Sequence, residues 1–155
     1  MLAMLVARIV LGAVWIVAGL IKLPDPAASV RAVRAYQILP EALVPAVGYG
    51  LPLLEVALGV CLVLGVAVRL GAMVSAVLLG AFLIGVTSAW ARGLSIDCGC
   101  FGGGGAVASD QTRYGTEVLR DGALLVVAGV LIRWPASRFA LVPHTPAPQP
   151  VPNEG

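Results

Sequence analysis

Four long apolar runs dominate the chain, near residues 2–22, 42–67, 70–91 and 114–134. Each is about as long as the roughly 20 residues that a helix needs to cross the hydrocarbon core of a bilayer. The pattern predicts an all-α integral membrane protein, a four-helix bundle. Between the first two runs, Pro24-Asp25-Pro26 marks a turn and offers a proline to the first position of a helix. The residues from there to Pro40 read as a short helix, with Val30 and Val33 on one side and Arg31 and Arg34 nearby. It is either a helix lying in the interface or a solvated connector. The second and third runs are joined only around Val68-Arg69, which predicts a tight antiparallel hairpin. The loop from about Arg92 to Thr112 carries two cysteines and a glycine run, Gly102 to Gly105. Residues 135–155 form a proline-rich tail that from Pro143 alternates proline with small polar residues and reads as extended or disordered.

Composition explains why lipid, not water, must cover these runs. The chain has 155 residues, of which 59% are hydrophobic and 12% charged, and its mean hydropathy is +0.98. A soluble domain carries about 25% charged residues, because its surface faces water. The net charge of +2 comes without a Lys/Arg run or basic-aromatic interleaving, so nucleic acid is not an expected partner. The apolar stretch from Leu2 to Ile21 is longer than the roughly 7–15 residues of a signal-peptide core, which predicts a retained first span. Four spans place both termini on one side. Lys22, Arg31, Arg34, Arg92 and Arg113 on one side nearly balance Arg69, Arg133, Arg138 and a snorkelling Arg8 on the other. Charge bias therefore does not set the orientation.

The most informative chemistry is Asp97-Cys98-Gly99-Cys100-Phe101-Gly102. Two thiols separated by one glycine can close a small, strained disulfide ring, and strained disulfides are the exchangeable ones. The alternative is two small residues that fall near a helix end. A metal is not expected: zinc takes four ligands, and the single histidine, His144, lies in the tail. Asp97 disfavours the thiolate of its neighbour. Cys61, within the second run, reads as a buried apolar residue. Glu55, in the middle of that run, costs about 3 kcal/mol at membrane depth unless paired, protonated or hydrated, and is expected to face the bundle interior. Glu117, Arg120 and Asp121 open the fourth run, with Arg113 one turn before Glu117, so Glu117 can pair with Arg113 or Arg120. Glu55, Glu117, Arg120 and Lys22 are the candidate lining of a polar pocket that holds a quinone head group or relays protons. The alternative is an ion pair that fixes helix packing. Pro52 removes a helical donor three residues before Glu55 and is expected to kink the span there. The glycine run lacks the lysine of a phosphate loop and reads as a flexible tether.

Four segments together resemble the methylamine-utilisation MauE family, part of the wider DoxX-like group of four-helix membrane proteins. They are Gly19-Leu20-Ile21-Lys22, Tyr36 through Pro40, Glu55-Val56-Ala57-Leu58-Gly59, and the Asp97 to Gly102 motif. The likeness covers roughly residues 5–134. It implies thiol-disulfide chemistry outside the cytoplasm beside a thioredoxin-fold partner, with quinone-linked oxidation in DoxX relatives. It also implies cytoplasmic termini and an outside cysteine loop in the cell membrane, where disulfides persist. By analogy the arrangement is like DsbB and vitamin K epoxide reductase, although this chain has one cysteine pair and no second shuttle pair. No residue pattern points to methylamine itself as a substrate. Three functions follow as expectations: a thiol-disulfide oxidoreductase component using Cys98 and Cys100, a non-enzymatic assembly or docking protein, or a small transporter subunit using Glu55.

Overall fold

The computed structural model describes residues 2–97, 105–106 and 114–134. Among them, five helices follow in order: α1 (Leu2–Lys22), α2 (Pro26–Ala35), α3 (Val44–Leu64), α4 (Val68–Ala91) and α5 (Tyr114–Arg133). Two short strands, β1 (Ile96–Asp97) and β2 (Gly105–Ala106), lie between α4 and α5. α1, α3 and α4 are long and apolar enough to cross a membrane. α5 is of similar length, 20 residues, but carries Glu117, Arg120 and Asp121 in its first half. The protein is a helical membrane protein whose outward faces are rich in leucine, isoleucine and valine.

Local chemistry sets the helix ends. Asp25 caps α2 by accepting from the Ala28 backbone N–H at 3.0 Å, with Pro26 at the first helical position. α3 stops at Leu64, before its apolar run does, because Gly65 takes a left-handed φ of 78° and donates to Leu62 O at 3.1 Å. The hairpin turn is therefore Gly65 to Ala67, and the expected joint at Val68-Arg69 is already the first turn of α4.

α1 and α3 run antiparallel and pack most closely. A Cβ on Gly59 would lie 2.6 Å from Gly12 O, and one on Gly19 would lie 2.7 Å from Pro52 O. Only hydrogen in place of a side chain lets these backbones approach so far. α4 packs extensively on α5, without such glycine contacts, whereas the α1–α5 and α3–α4 faces meet more sparingly. The bundle is thus two helix pairs joined along a seam. Leu11, Trp15, Leu58, Leu62 and Leu79 fill its core, and Trp15 Nε1 donates to Ser75 Oγ at 2.9 Å across the seam.

α2 folds back onto α3, with Val30 set against Gly48, where an added Cβ would meet Val30 Cα at 2.7 Å. β1 and β2 pair antiparallel, Ile96 with Ala106 and Asp97 with Gly105, and this ladder lies against α2. Ile96 is buried among Val86, Ala89 and Tyr114. The Tyr114 hydroxyl accepts from the Ile96 N–H at 3.0 Å and donates to Leu94 O. Its ring stacks on Trp90 at 6.0 Å between centroids. Arg92 donates to Tyr36 O and ties the end of α4 to the end of α2.

Two expectations change. Arg8 does not snorkel outward but is buried in α1. Cys61 is not buried: it is exposed on the outer face of α3, near the α3–α4 turn. The proline-rich tail at 135–155 lies outside the described residues.

Candidate functional site

The close approach of α1 and α3 at Gly19 leaves the long Lys22 side chain within reach of Glu55 across the contact. Lys22 and Glu55 flank the Gly19–Pro52 contact, each one turn further along its own antiparallel helix, and their side chains meet across it. Lys22 Nζ donates to both Glu55 oxygens, at 2.6 and 2.8 Å. Glu55 is fully buried and Lys22 nearly so. A buried carboxylate is tolerated only when its charge is balanced and its lone pairs are satisfied, and the bidentate ammonium does both. Lys22 Nζ also stands 6.0 Å from the Phe82 ring centroid.

Lys22, but not Glu55, lines a largely apolar cavity of about 270 Å³. Its walls come from four helices: Lys22 of α1, Ser29 and Tyr36 on α2 and its C-cap, Leu51 of α3, and Phe82 and Gly85 of α4. The cavity therefore sits in the seam between the helix pairs, closed on one side by α2. Ser29 is buried, and among the described residues its Oγ has no hydrogen-bond partner. A volume near the lower end of the roughly 300–1,000 Å³ typical of ligand pockets holds one substituted ring. An apolar lining with a cationic donor and a free hydroxyl fits the head group of a lipophilic carbonyl compound such as a quinone.

On its other side Glu55 borders a void of about 20 Å³, with Asp121 of α5 across it. Asp121 Oδ1 accepts from Arg120 Nε at 2.8 Å. Its Oδ2 is buried without a hydrogen-bond partner among the described residues. A space of this size takes one water, which can donate to both carboxylates.

The expected pocket residues are thus divided. Lys22 and Glu55 are brought together, with Lys22 lining the cavity and Glu55 the small void. Arg120 and Glu117 line neither the cavity nor the void, and the α5 residue facing Glu55 is Asp121. Ser29 and Tyr36 were not anticipated, although Ser29, Ala32, Val33 and Tyr36 recur at helical spacing along one face and all line the cavity. Pro52 is inside α3, one turn before Glu55.

Cys98, Cys100 and Arg113 lie outside the described residues. Cys98 directly follows Asp97, whose strand is held by the Tyr114 hydroxyl and packed against α2. The strand that precedes Cys98 in the sequence therefore rests on the helix that closes the cavity.

The family described as "Methylamine utilisation protein MauE" matches residues 1–133. No curated protein and no solved structure matches the chain.

Proposed function

The chain belongs to the MauE family, and on that premise we propose that it is a membrane component of extracytoplasmic thiol-disulfide exchange. Four helices, α1, α3, α4 and α5, span the membrane, with α2 lying at its interface. The termini are cytoplasmic and the cysteine loop is outside. Cys98 and Cys100 form a disulfide that exchanges with the dithiol of a thioredoxin-fold partner. A partner thiolate attacks one sulfur, a mixed disulfide forms, and the second partner thiol resolves it. The partner leaves oxidised, and Cys98 and Cys100 remain as thiols. A quinone, when bound, takes up the two electrons and two protons released as such a dithiol closes.

The observation that carries this reading is that the strand preceding Cys98 and the cavity share one helix, α2. The strand that runs into Cys98 rests on α2, and α2 also walls the lipophilic cavity with Lys22 on its floor. Thiols at the end of that strand and a ring in that cavity belong to one end of the bundle. The chain's own residues supply the rest. Glu55 holds Lys22 in place, and Lys22 presents a donor to the cavity. The apolar walls exclude water.

The test is the thiol state of Cys98 and Cys100 in native membranes, trapped with acid and read by alkylation mass shift. Samples are taken before reductant, after it, and after a quinone is added, with Cys98→Ser and Cys100→Ser as controls. Quinone-dependent reoxidation of the pair is the expected result. A pair locked in one state throughout would remove the redox role and leave a docking protein.

A further inference from the structure

We propose that Lys22 and Ser29 are a two-point anchor for one carbonyl oxygen of the ligand in the seam cavity, which binds head inward and tail outward past Ile38 and Leu39. This deepens the reading of the cavity as a quinone site and rests on it.

The donor count leads to this assignment. An ammonium has three N–H groups. Two of those on Lys22 go to Glu55, and no described residue accepts the third, while Lys22 itself lines the cavity. Ser29 lines the same cavity at 6% exposure with its Oγ unpartnered. A buried hydroxyl without a partner is costly, so a group that satisfies it binds with that cost removed. One carbonyl oxygen has two lone pairs and accepts from both donors. Because a hydroxyl can donate or accept, Ser29 serves a carbonyl and equally the hydroxyl of its reduced form.

The direction of the ligand follows from burial. The polar end of the cavity is deep, with Lys22, Ser29 and Ala32 all buried. Ile38 and Leu39, also in the lining, are 52% and 38% exposed and apolar, so they form its open side. A ring at the floor with an isoprenoid-like tail over that side matches polarity at both ends. The volume agrees, since an apolar cavity of ~150 Å³ already accepts a benzene ring, and this one is about 270 Å³. Gly85 contributes by omission: a Cβ there would press to 3.3 Å from the Tyr36 ring. The same acceptor chemistry is offered by the ester carbonyl of a lipid, so the experiment separates the two sources.

Purified protein in detergent is titrated with a short-chain ubiquinone, and binding is read by quenching of Trp15, whose ring lies 6.3 Å from that of Phe82 in the cavity wall. A parallel series uses a fatty-acid methyl ester. The expected result is saturable quinone binding that the ester does not displace, weakened roughly three- to tenfold by Ser29→Ala. Ser29→Thr restores it, and Ala81→Phe, which fills the cavity, abolishes it. Ser29→Ala removes one oxygen from a helix and raises helix propensity, so it folds. Equal affinity of wild type and Ser29→Ala, with loss in Ala81→Phe, would overturn the anchor and leave the cavity reading standing. No quinone binding to wild type, or indifference to Ala81→Phe, would overturn both. Binding of the ester in place of quinone would make this a lipid site and overturn the quinone assignment.

Discussion

A lysine and a glutamate removed from water together stand or fall as a pair. With Glu55 fully buried and Lys22 at 8% exposure, either partner alone is an uncompensated charge inside the bundle. Lys22→Met is therefore expected to destabilise the protein by about 3–5 kcal/mol. The double variant Lys22→Met/Glu55→Leu should recover most of that loss. Thermal unfolding in detergent checks both, and a double variant no better than the single one would show that the pair does not act as a unit. At Tyr114 one hydroxyl serves two backbone groups of the segment before Cys98. Tyr114→Phe leaves Ile96 N–H and Leu94 O without that partner, at a cost of about 1–3 kcal/mol. The expected outcome is faster hydrogen exchange confined to Leu94–Ile96, with the exchange of α1 and α3 unchanged.

Helices and their contacts carry the next predictions. The α1–α3 interface depends on absent side chains, so Gly59→Val, which forces a branched group toward Gly12 O and Ile16, should separate the pair. The loss is about 1–3 kcal/mol or more, and the yield of folded monomer by size-exclusion chromatography should fall. Gly50→Val, at a position with open space, is the control. α2 is held at both ends by exposed ion pairs, Asp25 with Arg31 and Arg34 with Glu41. The Ala28 N–H and then the Arg31 guanidinium hold the Asp25 carboxyl below its ordinary value. Arg34 does the same to Glu41 by hydrogen bond and charge. Both pKa values are depressed in the folded chain. The tethers are thus fully present above the ordinary carboxylate range and are lost as pH falls through the lower folded values. Protease sensitivity of the 36–43 segment should rise under acid, and Arg34→Gln should show the same sensitivity at neutral pH.

The elements also show what the chain discloses before it folds. Long apolar runs at 2–22 and 70–91 are visible because a span must be apolar over its whole length. Glu55 could be placed inside from the cost of leaving it in lipid. Ser29 could not, because whether a helical hydroxyl finds a partner is settled by neighbours from other helices. The Arg120–Asp121 pair is also hidden from helical spacing rules, which concern residues three and four apart. The two-residue β1–β2 ladder is too short to leave an alternating pattern. The end of α3 at Gly65 was legible in principle, since a glycine inside an apolar run is a natural left-handed stop.

For the whole molecule, the length of α4 separates Cys61 from the strand that precedes Cys98 in the sequence. α4, with 24 residues, is about 36 Å long, more than the roughly 30 Å of a bilayer core. Cys61 stands near its first turn, and the strand leading to Cys98 follows its last. In intact cells a membrane-impermeant maleimide, after mild reduction, should label wild type and Cys61→Ala alike. It should not label Cys98→Ser/Cys100→Ser. Labelling of Cys61 in that double variant would reverse the proposed orientation.

The seam cavity governs supply as well as fit. Its apolar rim of Ile38, Leu39 and Val47 faces outward from the bundle. What reaches Lys22 by that route has first dissolved among acyl chains, so its effective concentration is set by partitioning and not by its amount in water. Small polar oxidants and reductants are filtered out before any side chain selects among them. On the proposed reading, α2, whose 10 residues make about three turns of helix, lies between aqueous thiols at the loop and lipid-borne rings at the seam.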